Sequence, residues 1–138
     1  MTFDASEATE DLPGCQARIA APVVAAVAVR AASAVPGVVR LEPGVAGLVG
    51  SLVRTARQQL KGLDPAPTEG VRVSLDPDRA ASLRLEIDLV TSGQDQVAAV
   101  AARVQRAVAG EVRAATGLPV SSVVVSVMDI ELTGLGSR

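Results

Sequence analysis

Histidine, tyrosine and tryptophan are absent from this 138-residue chain, and phenylalanine and cysteine occur once each. Without imidazole, the chain cannot form a Ser-His-Asp triad or a histidine-ligated metal centre. One cysteine cannot supply a CxxC redox pair or a cysteine-rich zinc site. The near absence of aromatic rings removes the stacking platforms that bind single-stranded nucleic acid, and a net charge of −2 argues against a phosphate-binding surface. The composition therefore predicts a protein with no cofactor, no metal and no nucleic-acid partner.

Small aliphatic residues take the place of the missing rings, since 24 alanines and 23 valines contribute most of the 49% hydrophobic content. A chain of this length suggests one domain, and its core must be built from small side chains. Residues 1–14 are polar and acidic without hydrophobic periodicity, which predicts a disordered acidic tail. We therefore expect one α+β domain over residues 15–133 and a flexible tail over residues 134–138.

The stretch from Ile19 to Val39 is the most apolar in the chain. It contains Pro22, Arg30 and Pro36, and its many alanines insert only weakly into a bilayer, so it does not read as a membrane span. It predicts instead a helix that is buried or faces a partner. The single Cys15 fits a reducing, cytoplasmic setting.

Regular spacing of apolar residues predicts the element order β-α-β-α-β-β-α-β, with about three helices and a small mixed or antiparallel sheet of four to five strands. The clearest strand alternates leucine or isoleucine with mostly polar residues over 83–90, and a short turn makes it an antiparallel partner of 71–75. The valines at 123–127 predict a last strand that is covered on both faces. The predicted strands are 16–20, 38–41, 71–75, 83–90 and 120–132, and the predicted helices are 22–35, 45–61 and 95–116.

The helix predicted over 22–35 is apolar on nearly every side. Four-residue spacing predicts that its inner face carries Val23, Val27, Ala31 and Val35. The opposite face is also apolar, and a helix of this kind is usually covered on more than one side. This second face is therefore a candidate surface for a partner, and it carries Val24, Ala28 and Ala32.

Acidic residues occur in pairs on two strands, Glu86 with Asp88 and Asp129 with Glu131. If the strands are neighbours, the four carboxylates could gather around a divalent ion or serve a small hydrolase or isomerase. The simpler interpretation is that Arg72 and Arg84 pair with these acids on a solvated sheet surface. We prefer that interpretation and expect a charged interaction surface at this place.

Two parts of the chain carry a recognisable order of motifs, which includes IAAPVV at 19–24, GVRV at 70–73 and TGLPV at 116–120. Together they resemble the alkaline shock protein family of bacterial envelope stress response proteins. The order of motifs carries the resemblance, and the chain departs from the family at Ser92, where an aromatic residue is common, and at Val124, where asparagine is common. Residues 43–69 match nothing in particular. The similar segments are 19–24, 31–32, 35–38, 70–73, 83–90 with Gly93, 104–105, 116–120 and 123–130.

The resemblance implies a non-enzymatic cytoplasmic protein that self-associates and can be held at the inner face of the cell membrane by a small membrane-anchored partner. No catalytic residue is carried over from the family. Two alternatives stay open: a small-ligand-binding regulatory domain with a split βαβ topology, and the carboxylate enzyme described above. The candidate interaction surface comprises Val24, Ala28, Ala32, Arg72, Arg84, Glu86 and Asp88.

Overall fold

The computed structural model describes residues 1–9, 14–42, 70–79 and 81–132. Within them the protein is α+β, with two helices, a two-stranded sheet and a four-stranded sheet. The predicted helix at 45–61 and the predicted tail at 134–138 lie outside the described residues. The elements are β1 (Thr2–Asp4), a short 3-10 helix (Ser6–Thr9), β2 (Arg18–Ala20), α1 (Ala21–Ser33), β3 (Val38–Leu41), β4 (Val71–Leu75), β5 (Leu83–Ser92), α2 (Val97–Thr116) and β6 (Val120–Glu131).

Strand β5 is the centre of the larger sheet. Strand β6 runs parallel to it along one edge, and β3 and β4 are both antiparallel to it along the other. The two short strands meet at Asp88, whose carbonyl accepts a hydrogen bond from the Glu42 amide and whose amide donates to the Gly70 carbonyl. Strands β3 and β4 therefore lie end to end along the same edge of β5. The predicted antiparallel pairing of 71–75 with 83–90 is confirmed.

Both helices pack on one face of this sheet. The valines at four-residue spacing along α2, Val100, Val104, Val108 and Val112, are fully buried, as their periodicity predicts. They meet the alternating leucines and isoleucine of β5, which form the floor of the same core. Helix α2 ends at Gly117, whose φ of 76° is the left-handed conformation that glycine adopts most easily. None of the helices in the described part of the chain is long and apolar enough to cross a membrane.

The amino-terminal residues belong to the core, so the prediction of a disordered tail over 1–14 is wrong for residues 1–9. Strand β1 pairs antiparallel with β2, and this register buries Phe3, which is 2% exposed. The 3-10 helix lies against the end of α2, since a Cβ built on Gly117 would come 2.7 Å from the Ala8 methyl carbon. Strand β1 is also the reason why the observed element order differs from the predicted one.

Candidate interaction surface

The sheet face opposite the helices carries most of the polar residues that the sequence singles out. On β5 the residues between the buried leucines, Arg84, Glu86 and Asp88, have their side chains on this face because side chains alternate along a strand. Pairing across three strands aligns Arg72 with Glu86 and Val124, and aligns Ser74 with Arg84 and Ser122. The candidate residues of β4 and β5 are therefore brought together, as predicted.

Arg72 binds two carboxylates at once. Its Nε lies 3.0 Å from an oxygen of Glu86, and its Nη1 lies 2.8 Å from an oxygen of Asp88. The Asp88 side chain is only 4% exposed, while the Arg72 side chain is 39% exposed. The hydrogen bond to Asp88 is the main cause that raises the pKa of Arg72 above its ordinary value. The guanidinium thus neutralises a buried acid and keeps one edge in solvent.

Weaker pairs surround this ion pair. Arg84 reaches Glu86 at 3.4 Å, and Arg40 reaches Glu42 at 3.0 Å and Glu131 at 3.5 Å, with every one of these side chains partly in solvent. The preferred interpretation of paired arginines and acids on a sheet surface agrees with these contacts. The described residues contain no group of three or more acidic or thiol side chains that could hold a metal ion.

The assignment of Val24, Ala28 and Ala32 to an interaction surface is wrong, because all three are fully buried. They lie in the same core as Ala31 and Val35 of the predicted inner face, whereas Val23 is exposed, so residues from both sides of α1 are buried. Periodicity could not choose the buried face, since valine and alanine occupy both sides of the helix.

A groove lies between the end of α1 and the middle of α2, where the sequence predicts none. It has a volume of about 530 Å³, and alanines, Val35 and Pro36 line it together with Arg30, Arg103 and Glu111. Arg30 and Glu111 approach to 3.8 Å across it. The Arg103 guanidinium donates to the Pro36 carbonyl at 3.4 Å, and its buried Nε has no hydrogen-bond partner. The sequence carries no signal for this groove, because its residues come from two separate helices.

Exposed aliphatic side chains concentrate on β6. The valine pattern predicts a strand covered on both faces, but Val124 is 40% exposed and pairs across the sheet from Glu86. Met128, Ile130 and the following Leu132 are exposed as well. This strand therefore places apolar surface directly beside the Arg72 ion pairs.

A protein-family profile matches most of the chain. Residues 13–132 match the profile of the alkaline shock protein 23 family, which is described as having a cell envelope-related function. No curated protein matches the chain.

Two solved structures have some likeness to the fold. One is a singly substituted MamM C-terminal domain, with 17% identity and a TM-score of 0.46 over 81% of this chain and 100% of that chain. The other is a triply substituted variant of the same domain, with 17% identity and a TM-score of 0.43 over 79% of this chain and 94% of that chain. Scores this low carry no inference about partners or assembly.

Proposed function

The chain belongs to the alkaline shock protein 23 family of cell envelope-related function, and on that basis we propose that it is a non-enzymatic protein that self-associates and docks to a membrane-anchored partner. In this role it is a cytoplasmic protein that reaches the inner face of the membrane only through that partner. Its work is to hold proteins together rather than to convert a substrate.

One observation carries the proposal, namely the composition of the sheet face opposite the helices. Arg72 and Arg84 lie partly in solvent on this face, and Glu86, which pairs with both arginines, lies next to the exposed Val124. The Arg72–Asp88 pair belongs to the same face. Arginine beside apolar side chains is typical of protein interfaces, whereas charged residues are depleted at their centres unless they are paired. A face of this kind can be covered by another protein without leaving a buried acid unneutralised.

The proposal is tested with the full-length protein in two measurements. Sedimentation velocity across micromolar concentrations reports self-association. A photo-crosslinking amino acid placed at Arg84, on the sheet face, and at Arg106, on the exposed side of α2, reports docking in cells. We expect reversible oligomers, and we expect a membrane protein crosslinked at position 84 but not at 106. A strict monomer at every concentration, with no crosslinked membrane protein, would overturn the proposal.

The groove between α1 and α2 favours a second candidate, the small-ligand-binding domain. Its volume of about 530 Å³ lies within the range of small-molecule sites, and the guanidinium of Arg103 would suit a carboxylate. A thermal-shift screen against amino acids and small organic acids tests it with wild type and Arg103→Ala. Stabilisation of wild type alone would support the ligand-binding function, and the absence of any stabilised condition would contradict it.

A further inference from the structure

The outer edge of β6 is open along the described part of the chain. Strand β6 pairs with β5 on one side, and no described strand pairs with it on the other. It is the longest of the described strands, with 12 residues. An open strand edge presents a row of backbone amides and carbonyls that can bind another extended chain.

One hydrogen bond identifies the backbone groups that face this edge. The side-chain amide of Gln105, on α2, donates to the Val123 carbonyl at 3.2 Å. Since backbone groups of successive residues point to alternate edges of a strand, Val123, Val125 and Val127 direct their amides and carbonyls outward, and Ser122, Val124 and Ser126 direct theirs to β5. Gln105 therefore occupies one of the backbone carbonyls that face the outer edge of β6.

The edge of β6 lacks the residues that usually prevent pairing between strand edges. From Val120 to Met128 it contains no charged residue and no proline. Strands β3 and β4 along the other side of the sheet have only 4 and 5 residues, and each carries an arginine, Arg40 or Arg72. Short length and charge both disfavour pairing at an edge. The contrast singles out β6 as the edge that is built to be paired.

We infer that the outer edge of β6 binds β6 of a second copy of this chain, antiparallel and centred on Val125, so that the two sheets become continuous. The inference rests on the proposed self-association and names its interface. The occupant must bring an uncharged extended strand, and β6 is the strand of the described residues that fits. In the antiparallel arrangement Val125 faces its own equivalent, and the acidic Asp129 and Glu131 of the two copies lie at opposite ends, so like charges do not meet.

The arrangement fixes which residues approach across the interface. Positions 124 of the two copies come within about 8 Å between Cα atoms, given the rise along a strand and the spacing between strands. Positions 39, on β3 of each copy, are separated by at least about 24 Å, because five strand spacings lie between them across the sheet and they are also displaced along the strands. Val39 is a matched control because it is a valine with 42% exposure, against 40% for Val124.

The first test is cysteine crosslinking in a Cys15→Ser background, which removes the exposed native thiol. We expect Val124→Cys to give a covalent dimer with a short bis-maleimide and Val39→Cys to give none. A second test uses lysine at the same two positions in sedimentation velocity. Val124→Lys brings two like charges together and is expected to weaken the dimer at least tenfold, whereas Val39→Lys leaves its dissociation constant unchanged.

A third variant acts in the opposite direction. Gln105→Ala frees the Val123 carbonyl for the Val127 amide of the other copy and is expected to tighten the dimer roughly fivefold or more. A residue that only supports the fold would not strengthen association when it is truncated. Circular dichroism and thermal melting confirm that each variant is folded.

The outcomes separate this inference from the proposed function. Oligomers that form without a crosslink at position 124, and that respond to neither Val124→Lys nor Gln105→Ala, would overturn the β6 interface and leave self-association standing through another surface. A strict monomer in every measurement would overturn both. Crosslinking at 124 alone, with weakening by lysine and tightening by Gln105→Ala, would establish the interface.

Discussion

The Arg72 guanidinium lies 2.8 Å from the carboxylate of Asp88, a side chain that is almost completely removed from solvent. The two residues are 16 positions apart and meet because β4 and β5 pair antiparallel. Breaking a buried ion pair on one side costs more than the pair contributes, since the remaining charge loses its partner.

We therefore expect Arg72→Ala to lower the free energy of unfolding by about 2 kcal/mol, a value reduced for the partial exposure of the arginine. Arg84→Ala is the matched control on the neighbouring position of the sheet, because its contact with Glu86 is longer and exposed, and it should cost less than about 1 kcal/mol. Urea unfolding measures both variants. Equal effects of the two substitutions would contradict a special role for the Asp88 pair.

Replacing glycine by alanine is expected to have opposite effects on stability at two positions. Gly37 has a φ of 98°, and a Cβ there would lie 2.7 Å from a methyl carbon of Val100, so Gly37→Ala should destabilise the protein by at least about 2 kcal/mol. Gly110 lies within α2, and a Cβ built there would meet no other atom within 4 Å. Gly110→Ala should therefore stabilise the protein by about 0.5–1 kcal/mol. Thermal melting of the two variants compares them directly. Destabilisation by Gly110→Ala would contradict the helix at that position.

The buried Phe3 makes the amino-terminal strand a part of the core. Phe3→Ala should lower the free energy of unfolding by about 3 kcal/mol, as large-to-small substitutions in a core do. Leu75→Ala removes an exposed side chain near the end of β4 and should change the same quantity by less than about 0.5 kcal/mol. Chemical denaturation measures both. A negligible effect of Phe3→Ala would restore the disordered tail that composition predicts.

Asp76 is expected to make the stability of the protein depend on pH in the acid range. The Ser121 hydroxyl donates to its carboxylate at 2.5 Å and, with the Asp78 amide, lowers the pKa of Asp76 below its ordinary 3.8. A carboxyl group with a lowered folded-state pKa stabilises the protein fully above its unfolded pKa and loses that contribution as pH falls through the folded one. The difference in urea midpoint between wild type and Asp76→Asn should therefore be constant above about pH 5 and shrink below pH 3.8. A difference that does not shrink at all between pH 5 and pH 2 would contradict the hydrogen-bonded carboxylate.

The sequence by itself determined the elements with a strong period. The valines of α2 and the alternating residues of β5 leave one way to bury an apolar face, so their inner positions and the β4–β5 pairing could be predicted from spacing. The absence of histidine and the single cysteine likewise exclude whole classes of sites, because the side chains that those sites require do not occur in the chain.

Other features depend on contacts between elements that are distant in sequence, and only the tertiary structure decided them. Helix α1 is apolar on both sides, and packing in the core decided that Val24, Ala28 and Ala32 are buried while Val23 is exposed. Phe3 is buried because β1 pairs with β2, a contact that the composition of the acidic segment does not indicate. The open edge of β6 depends on which strands flank it. The spacing of apolar residues shows which residues share a face of one helix or strand. Which residues they contact in other elements is decided by packing between elements that are distant in sequence.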